Sequence, residues 1–508
     1  MGSRVDFIAK NMKFALMSQI LLVLANFFVR RVFVSVLGEE YLGLNGLFSD
    51  ILSMLSLAEL GLGTSIVYSL YEPVARGNRE KIKSLMALYR RAYQAVGGVI
   101  ICAGLLLTPH LAFFVKEMPE HIAHVEWIYI LNVLNAGVSY FFIYKASLLF
   151  ADQKKYVEMC IHTIVKLAAY GIEILLLLKT GNYFLYLGTM IGGTFLQNAA
   201  VSFQVDRMYP YLKEKERLPL SEEDKTLIRR NVGAMVFHKI GTVAVFSTDN
   251  ILMAKLVSIA AVGLYSNYIL IRRVLETVIN MIYTSLTASV GNLNVCETPE
   301  KKYEAFNRIY FFSAWLFGVT CICLICLYNP FISLWLGEKY LLPSRTVSII
   351  VINFYFFCMR VPVGRTKEAM GLFWADRYKP IPEVLINLGA SIFLAGSMGL
   401  DGILWGTLIS TLLVPFWIEP VVLYYYGLGR SPLPYFGRYV FYGGITLGAG
   451  LLTGWICGLC PQTLPGFAGK MFVCALVPNA VFFAVYGRCP EFRYLCSVAR
   501  RLLARHQT

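Results

Sequence analysis

Residues Phe14–Leu37 read FALMSQILLVLANFFVRRVFVSVL. About 20 apolar residues in a helix cross the hydrocarbon core of a bilayer, so this run is long enough to span one. Within it stand Arg30 and Arg31. A guanidinium at the centre of a membrane helix costs about 2.5–3.5 kcal/mol even on the lenient insertion scale. Each arginine therefore needs an anion in a water-filled cavity, a carboxylate partner, or a stem that snorkels to the interface.

The rest of the chain has the same character. Of 508 residues, 57% are hydrophobic and 15% charged, and the mean hydropathy is +0.60. That excludes an ordinary soluble domain and points to a polytopic membrane protein. Apolar runs bounded by charges, Pro and Gly fall at 12–37, 42–72, 86–115, 124–150, 157–178, 183–206, 230–257, 262–293, 304–328, 344–372, 381–398, 402–426, 438–457 and 466–487, which predicts about fourteen transmembrane helices. The first run is too long for a signal peptide and lacks a small-residue cleavage site after it, so it is expected to remain as the first helix.

Loop charge tests this count, because Lys and Arg accumulate on the cytoplasmic side. With the N-terminus inside, the tails and even-numbered loops hold 30 Lys/Arg, whereas the opposite loops hold five: Lys116, Lys179, Lys339, Arg345 and Lys470. One miscounted helix would destroy that asymmetry. Both termini are thus expected in the cytoplasm. The net charge of +15 reads as topology signal facing anionic lipid, with no nucleic-acid partner implied. The eleven remaining cations lie within spans: Arg30, Arg31, Lys145, Lys166, Lys239, Lys255, Arg272, Arg273, Arg360, Arg365 and Lys367.

An internal repeat supplies the architecture. At an offset of 220 residues, Asn11 meets Asn231, Gly43-Leu44 meets Gly263-Leu264, Thr64-Ser65 meets Thr284-Ser285 and Glu80-Lys81 meets Glu300-Lys301. At an offset of 224, Ala151, Asp152 and Lys155 meet Ala375, Asp376 and Lys379. Each half holds an even number of helices, so the repeats enter the membrane in the same orientation, as in transporters that rock two lobes about a central site. The expected fold is an all-α integral membrane protein with two parallel six-helix lobes around a cavity. The lobes would cover 1–206 and 231–426, joined by a charged cytoplasmic linker at 207–230, with two further helices and a basic tail over 427–508.

The offset sets Arg30 against Asn250 and places Asp249 at similar depth, so both are expected to line the cavity with Asn26 on the first helix. Glu59 near the middle of the second span, Arg272 in the eighth and Arg360 in the tenth complete the candidate ligands. Asp249, Glu59, Glu276 and Lys239 are candidates for coupling to Na+ or H+, or for pairing. Arg272 and Glu276 are one turn apart and could instead pair along their helix. Arg31 lies about 100° around the helix from Arg30, where snorkelling is the better reading, and Arg365 and Lys367 are placed for the cytoplasmic interface. The run Glu59-Leu-Gly-Leu-Gly63 allows close packing or a break in the helix, close packing being the commoner use. No nucleotide-binding motif is present, and no enzymatic activity or cofactor is expected.

Twelve cysteines invite a metal or disulfide reading. Cys321, Cys323 and Cys326 crowd one apolar span with no His or Asp close by, which favours small apolar filling. Cys457 and Cys460 are expected to be free. His238 beside Lys239 is one imidazole without a second ligand and reads as helix packing.

The stretch Leu57-Ala-Glu-Leu-Gly-Leu-Gly-Thr-Ser-Ile-Val-Tyr-Ser-Leu-Tyr-Glu-Pro73 resembles the polysaccharide transporter family. So do Ser247-Thr-Asp-Asn-Ile-Leu252, Val262-Gly-Leu-Tyr-Ser-Asn-Tyr268, Gly371-Leu-Phe-Trp-Ala-Asp-Arg-Tyr-Lys-Pro380 and the pattern Arg30-Arg-Val-Phe33 with Leu37-Gly38. These are flippases for lipid-linked oligosaccharides, within the MOP superfamily that also holds MATE exporters and lipid II flippases. The resemblance spans nearly the whole chain, although Arg31, Arg272 and Arg273 are not typical of the family. It implies a polyprenyl-diphosphate-linked oligosaccharide moved across the bacterial cytoplasmic membrane for surface polysaccharide synthesis, with glycan polymerase and glycosyltransferases of the same pathway as partners. A MATE-like exporter of cationic drugs shares the plan but calls for acidic, aromatic cavity walls. A membrane glycan polymerase or glycosyltransferase calls for a sizeable outer loop, and the outer loops here are short.

Overall fold

The structure is a computed structural model that describes residues 2–59, 62–119, 121–214, 219–222, 226, 228, 248–296, 298–372 and 375–505. His238 and Lys239 lie outside them. Every described regular element is helical: α1 (Gly2–Leu37), α2 (Glu39–Leu55), α3 (Leu62–Arg76), α4 (Arg79–Leu107), α5 (Val125–Ile143), α6 (Ala146–Ala151), α7 (Lys155–Thr180), α8 (Tyr183–Met208), α9 (Thr248–Leu256) and α10 (Ile259–Cys296). There follow α11 (Pro299–Trp335), α12 (Ser344–Ala369), α13 (Pro380–Met398), α14 (Leu400–Leu413), α15 (Pro415–Val422), α16 (Leu433–Gly458), α17 (Leu464–Tyr486) and α18 (Pro490–Arg505).

Among the described residues, helix occupies part of each of the fourteen apolar runs, and ten helices are long and apolar enough to cross a membrane. The chain is a multi-pass, all-α membrane protein. The runs outside those ten are informative. The run 42–72 is split: α2 stops at Leu55, a 3-10 turn covers Ser56–Glu59, and α3 starts at Leu62. Glu59 is carried on the 3-10 turn, and Gly63 packs closely, a Cβ there falling 3.0 Å from the Tyr93 hydroxyl, which agrees with the close-packing reading. Helix α10 bears Arg272, Arg273 and Glu276, and α9 is the described end of the seventh run.

The chain divides into two compact units, Met1–Gly263 and Leu264–Thr508. The division falls in the first turns of α10 and beyond the 207–230 segment, because α9 packs on α2. In the first unit, α7 packs along both α1 and α8, while α4 packs on α5. A core of Leu70, Leu85, Tyr89, Leu148 and Val205 ties α3, α4, α6 and α8 together. The turn from α1 into α2 is made by Gly38, whose φ of +89° disfavours a side chain.

One contact shows the repeat in three dimensions. A Cβ on Gly43 would fall 2.0 Å from the Ile259 carbonyl oxygen, and one on Gly263 would fall 1.9 Å from that of Glu39. Residues 39 and 43 correspond to 259 and 263 at the offset of 220, so α2 and the start of α10 cross reciprocally, each glycine seated on the counterpart backbone.

In the second unit α11 packs against α12, α16 and α17, and α13 against α14. Pro415 starts a new helix after α14, since proline lacks the amide that a continuing helix needs. The resulting short α15 carries Glu419 and runs into a π-helical turn over Leu423–Leu428.

Candidate functional site

Helix α7 sets His162, Lys166, Ala169 and Glu173 at spacings of three and four, along one face. Met190, Gly193, Thr194 and Gln197 do the same on α8. Between these faces lies a cavity of about 210 Å³ lined by His162, Lys166, Met190, Gly193, Thr194 and Gln197. It has room for several waters and polar groups to hold them. The Lys166 ammonium sits 4.8 Å from the centre of the Tyr170 ring.

Arg30, half-buried on α1, lies within electrostatic reach of Tyr170 and Tyr186. Tyr186 packs edge-on to Phe33 at 5.0 Å and stacks with Tyr183, whose hydroxyl donates to Asn45. Asn26 is half-buried one turn before Arg30 and shares its face, whereas Arg31 is exposed. Glu173 is 1% exposed, and neither carboxyl oxygen has a hydrogen-bond partner. An unbonded carboxylate among membrane helices is penalised by several kcal/mol or more, so this environment suits the neutral acid.

The other candidates of this unit make contacts of their own. Asn250 donates to Asp50 at 2.6 Å, tying α9 to α2, and Asp249 is half-buried beside it. Glu59 receives the hydroxyls of Tyr93 at 3.4 Å and Tyr140 at 3.2 Å. Lys145 donates to Asp206 and Ser202, both at 2.7 Å, joining the end of the fourth span to α8. The loop that carries the first Ala-Asp-x-x-Lys copy is pinned through Asp152, which accepts from Tyr209 and pairs with Lys154 at 2.7 Å. Burial, then the bond to Asp152, push the Tyr209 hydroxyl well above its ordinary pKa.

In the second unit the candidate arginines are already engaged. Arg272 Nε donates to Glu276 Oε1 at 2.6 Å and its guanidinium lies 5.5 Å from the Phe357 ring, so pairing along the helix is what is seen. Arg273 is exposed. Arg360 grips Glu419 with a two-pronged fork, Nε to Oε2 at 3.1 Å and Nη2 to Oε1 at 2.9 Å, and reaches Glu383 at 3.4 Å. Lys379 also pairs with Glu419, and Lys367 pairs with Asp376. Arg365 binds Glu368 and Asn280 rather than the interface alone. The guanidinium expected to await a substrate anion at Arg360 thus meets two acids of its own chain.

Sequence reasoning did not single out Glu173, Glu383 and Glu419. The signal was available, since each is an acid within an apolar run, as exceptional there as the cations that were counted.

No protein-family model matches the chain, and no curated protein matches it in sequence. Solved structures do match in shape. The lipid II flippase MurJ in an inward closed conformation aligns with a TM-score of 0.67 at 14% identity, over 94% of this chain and 98% of that one. An inward-facing multidrug-resistance MATE transporter of the MOP superfamily aligns at 0.61 and 14% identity, over 79% and 94%. A point mutant of the Vibrio cholerae MATE transporter VcmN aligns at 0.57 and 13%, over 85% and 99%. The chain therefore has the MurJ and MATE fold, with structural neighbours in the MOP superfamily.

Proposed function

We propose that the protein is a flippase that moves an anionic, polyprenyl-diphosphate-linked oligosaccharide across the cytoplasmic membrane by alternating access. The fold is shared by a lipid II flippase and by multidrug transporters, and so supports a glycan-lipid flippase and a cation-coupled exporter equally. The observation that favours the anionic substrate is the charge of the first unit's membrane-embedded chamber. Lys166 lines it, and Arg30 lies within electrostatic reach of Tyr170 and Tyr186 on the same two helices. A chamber for cationic drugs needs acidic walls.

In this reading the planar Arg30 fork binds phosphate oxygens in pairs, and Lys166 adds a point charge. The inside-negative potential favours outward passage of each net negative charge by about 2.3 kcal/mol per 100 mV. Coupling to H+ or Na+ is part of the proposal, and Glu173, buried without a hydrogen-bond partner, is a carboxyl suited to holding a proton.

The test is export of lipid-linked glycan in cells carrying Arg30→Ala, Arg30→Lys and Lys166→Gln, with membrane abundance measured alongside. Each lost charge-assisted hydrogen bond is worth about 1.5–3 kcal/mol, so Arg30→Ala should slow export by roughly tenfold or more. Arg30→Lys should retain part of the rate, because charge survives and the fork does not. Undiminished export in both Arg30→Ala and Lys166→Gln overturns the reading, and acquired resistance to cationic drugs on overexpression supports the exporter.

A further inference from the structure

Three cysteines from three helices of the second unit meet apart from the ion pairs described there. Cys326 on α11, Cys457 on α16 and Cys474 on α17 bring their sulfurs within 4.8 Å of one another, with Cys457 and Cys474 3.8 Å apart. Cys457 is 4% exposed and Cys474 1%, while Cys326 is half-buried and gives a way in from the surface. All three thiols are free. The helices pack pairwise against each other, so the triangle is held by the fold and not by one flexible loop.

The spacing has a chemical meaning. A soft metal with metal–sulfur bonds of about 2.3 Å holds its sulfurs roughly 3.8 Å apart in tetrahedral and about 4.0 Å apart in trigonal coordination. Shifts well under about 1 Å would close the observed triangle on such an ion. The donor set is sulfur alone, which disfavours Mg²⁺ and Ca²⁺ and selects thiophilic ions. Three ligands fall one short of the four that a structural zinc site takes.

We propose that Cys326, Cys457 and Cys474 form a trigonal site for a monovalent soft metal ion of the Cu(I) class, joining the last two membrane helices to α11. Each sulfur that binds as thiolate releases its proton to solvent. Two thiolates, one thiol and a monovalent cation leave one net negative charge. Lys470, 8% exposed, lies within electrostatic reach of Cys326 to balance it, and its carbonyl faces the Cys457 sulfur at 3.9 Å. Sequence spacing could not show this site, because Cys457 and Cys474 lie more than a hundred residues from Cys326.

The experiment uses the full chain, purified reduced in detergent and titrated with Cu(I) against a chromophoric chelator, and separately with Ag(I). One ion per chain, three sulfur neighbours by X-ray absorption, and a rise in the unfolding temperature are expected. Cys474→Ser should weaken binding at least about 100-fold, beyond what loss of a merely supporting contact gives. Should Cys474→Ser fail to fold, Ag(I) protection of the half-buried Cys326 from maleimide in the native chain gives an independent readout. Cys102→Ser and Cys160→Ser, on α4 and α7 of the first unit, should leave binding unchanged. Absence of stoichiometric binding, wild-type affinity in Cys457→Ser or Cys474→Ser, or four-coordinate Zn(II) bound in preference to Cu(I) would each overturn the assignment.

Discussion

Replacing Glu419 with Gln keeps the side chain's shape and removes its charge. Arg360, Lys379, Glu419 and Glu383 form an electroneutral group of two cations and two anions, with Arg360 24% and Glu419 8% exposed at the side chain. After Glu419→Gln, two cations face Glu383 alone, and Arg360 keeps its 3.4 Å ion pair and at most a neutral hydrogen bond to the amide oxygen. A charge pair about 4 Å apart at an effective dielectric of 20 is worth about 4 kcal/mol, and breaking a buried pair by removing one partner costs about 3–5 kcal/mol. At roughly 2–4 °C per kcal/mol for a unit of this size, the unfolding temperature should fall by about 8–16 °C.

The assay is thermal unfolding of purified protein in one detergent, as a double-mutant cycle with Arg360→Met. The double variant leaves Lys379 opposite Glu383 and restores neutrality, so it should recover more than half of the loss. A coupling below about 0.5 kcal/mol would refute the view that these charges form one unit. Wild-type stability of Glu419→Gln together with lost transport would return Arg360 to the role of a substrate ligand.

Gly43→Ala and Gly263→Ala should each destabilise the protein by about 1–3 kcal/mol and by similar amounts, since each new methyl meets a backbone carbonyl, whereas Gly98→Ala, with open space, should be neutral in the same thermal assay. Lys145→Met should cost about 1–3 kcal/mol by stranding Asp206, and Asp206→Leu in the same chain should recover most of it. Glu173→Gln, a neutral isostere, should leave the unfolding temperature unchanged; a fall of several degrees would show that the carboxyl is charged and paired.

Helix positions and membrane class were legible because hydrophobic runs bounded by charge require nothing beyond the local chain. Pairing of Arg272 with Glu276 was legible for the same reason, as one turn of helix fixes it. The fork of Arg360 was not, because its acids lie 59 and 23 residues away on other helices, and local periodicity carries no information about them. The repeat aligned Gly43 with Gly263, and the structure adds that each is seated on the backbone of the other's helix, which alignment alone does not show. At Arg30 and Asn250 equal register fixes depth along a helix but not the direction of the side chain: Arg30 lies within electrostatic reach of Tyr170 and Tyr186, and Asn250 donates to Asp50. At Glu59 the hydroxyls of Tyr93 and Tyr140, which reach the carboxylate on its 3-10 turn, come from other helices, and the local Leu-Gly-Leu-Gly composition carries no information about them.

The two halves share a device that residue-by-residue comparison misses. In the first, Lys145 at the end of the fourth span pairs with Asp206 of the sixth; in the second, Arg360 of the tenth pairs with Glu419 of the twelfth. The basic members are 215 residues apart and the acidic members 213, so each half carries such a pair at positions that the offsets of 220 and 224 do not align. These pairs hold helices of each half together, and the engagement of Arg360 with its acids leaves it little to offer a substrate. Arg30 has Asn250 as its counterpart, and at the offset of 224 Lys166 and Glu173 meet Ala390 and Ser397. Charges in membrane helices carry a cost of burial that a partner must offset, and for Arg360 two acids of its own chain do so. Lys166 instead lines a cavity, and on that contrast the proposed anion-binding role rests with the first unit.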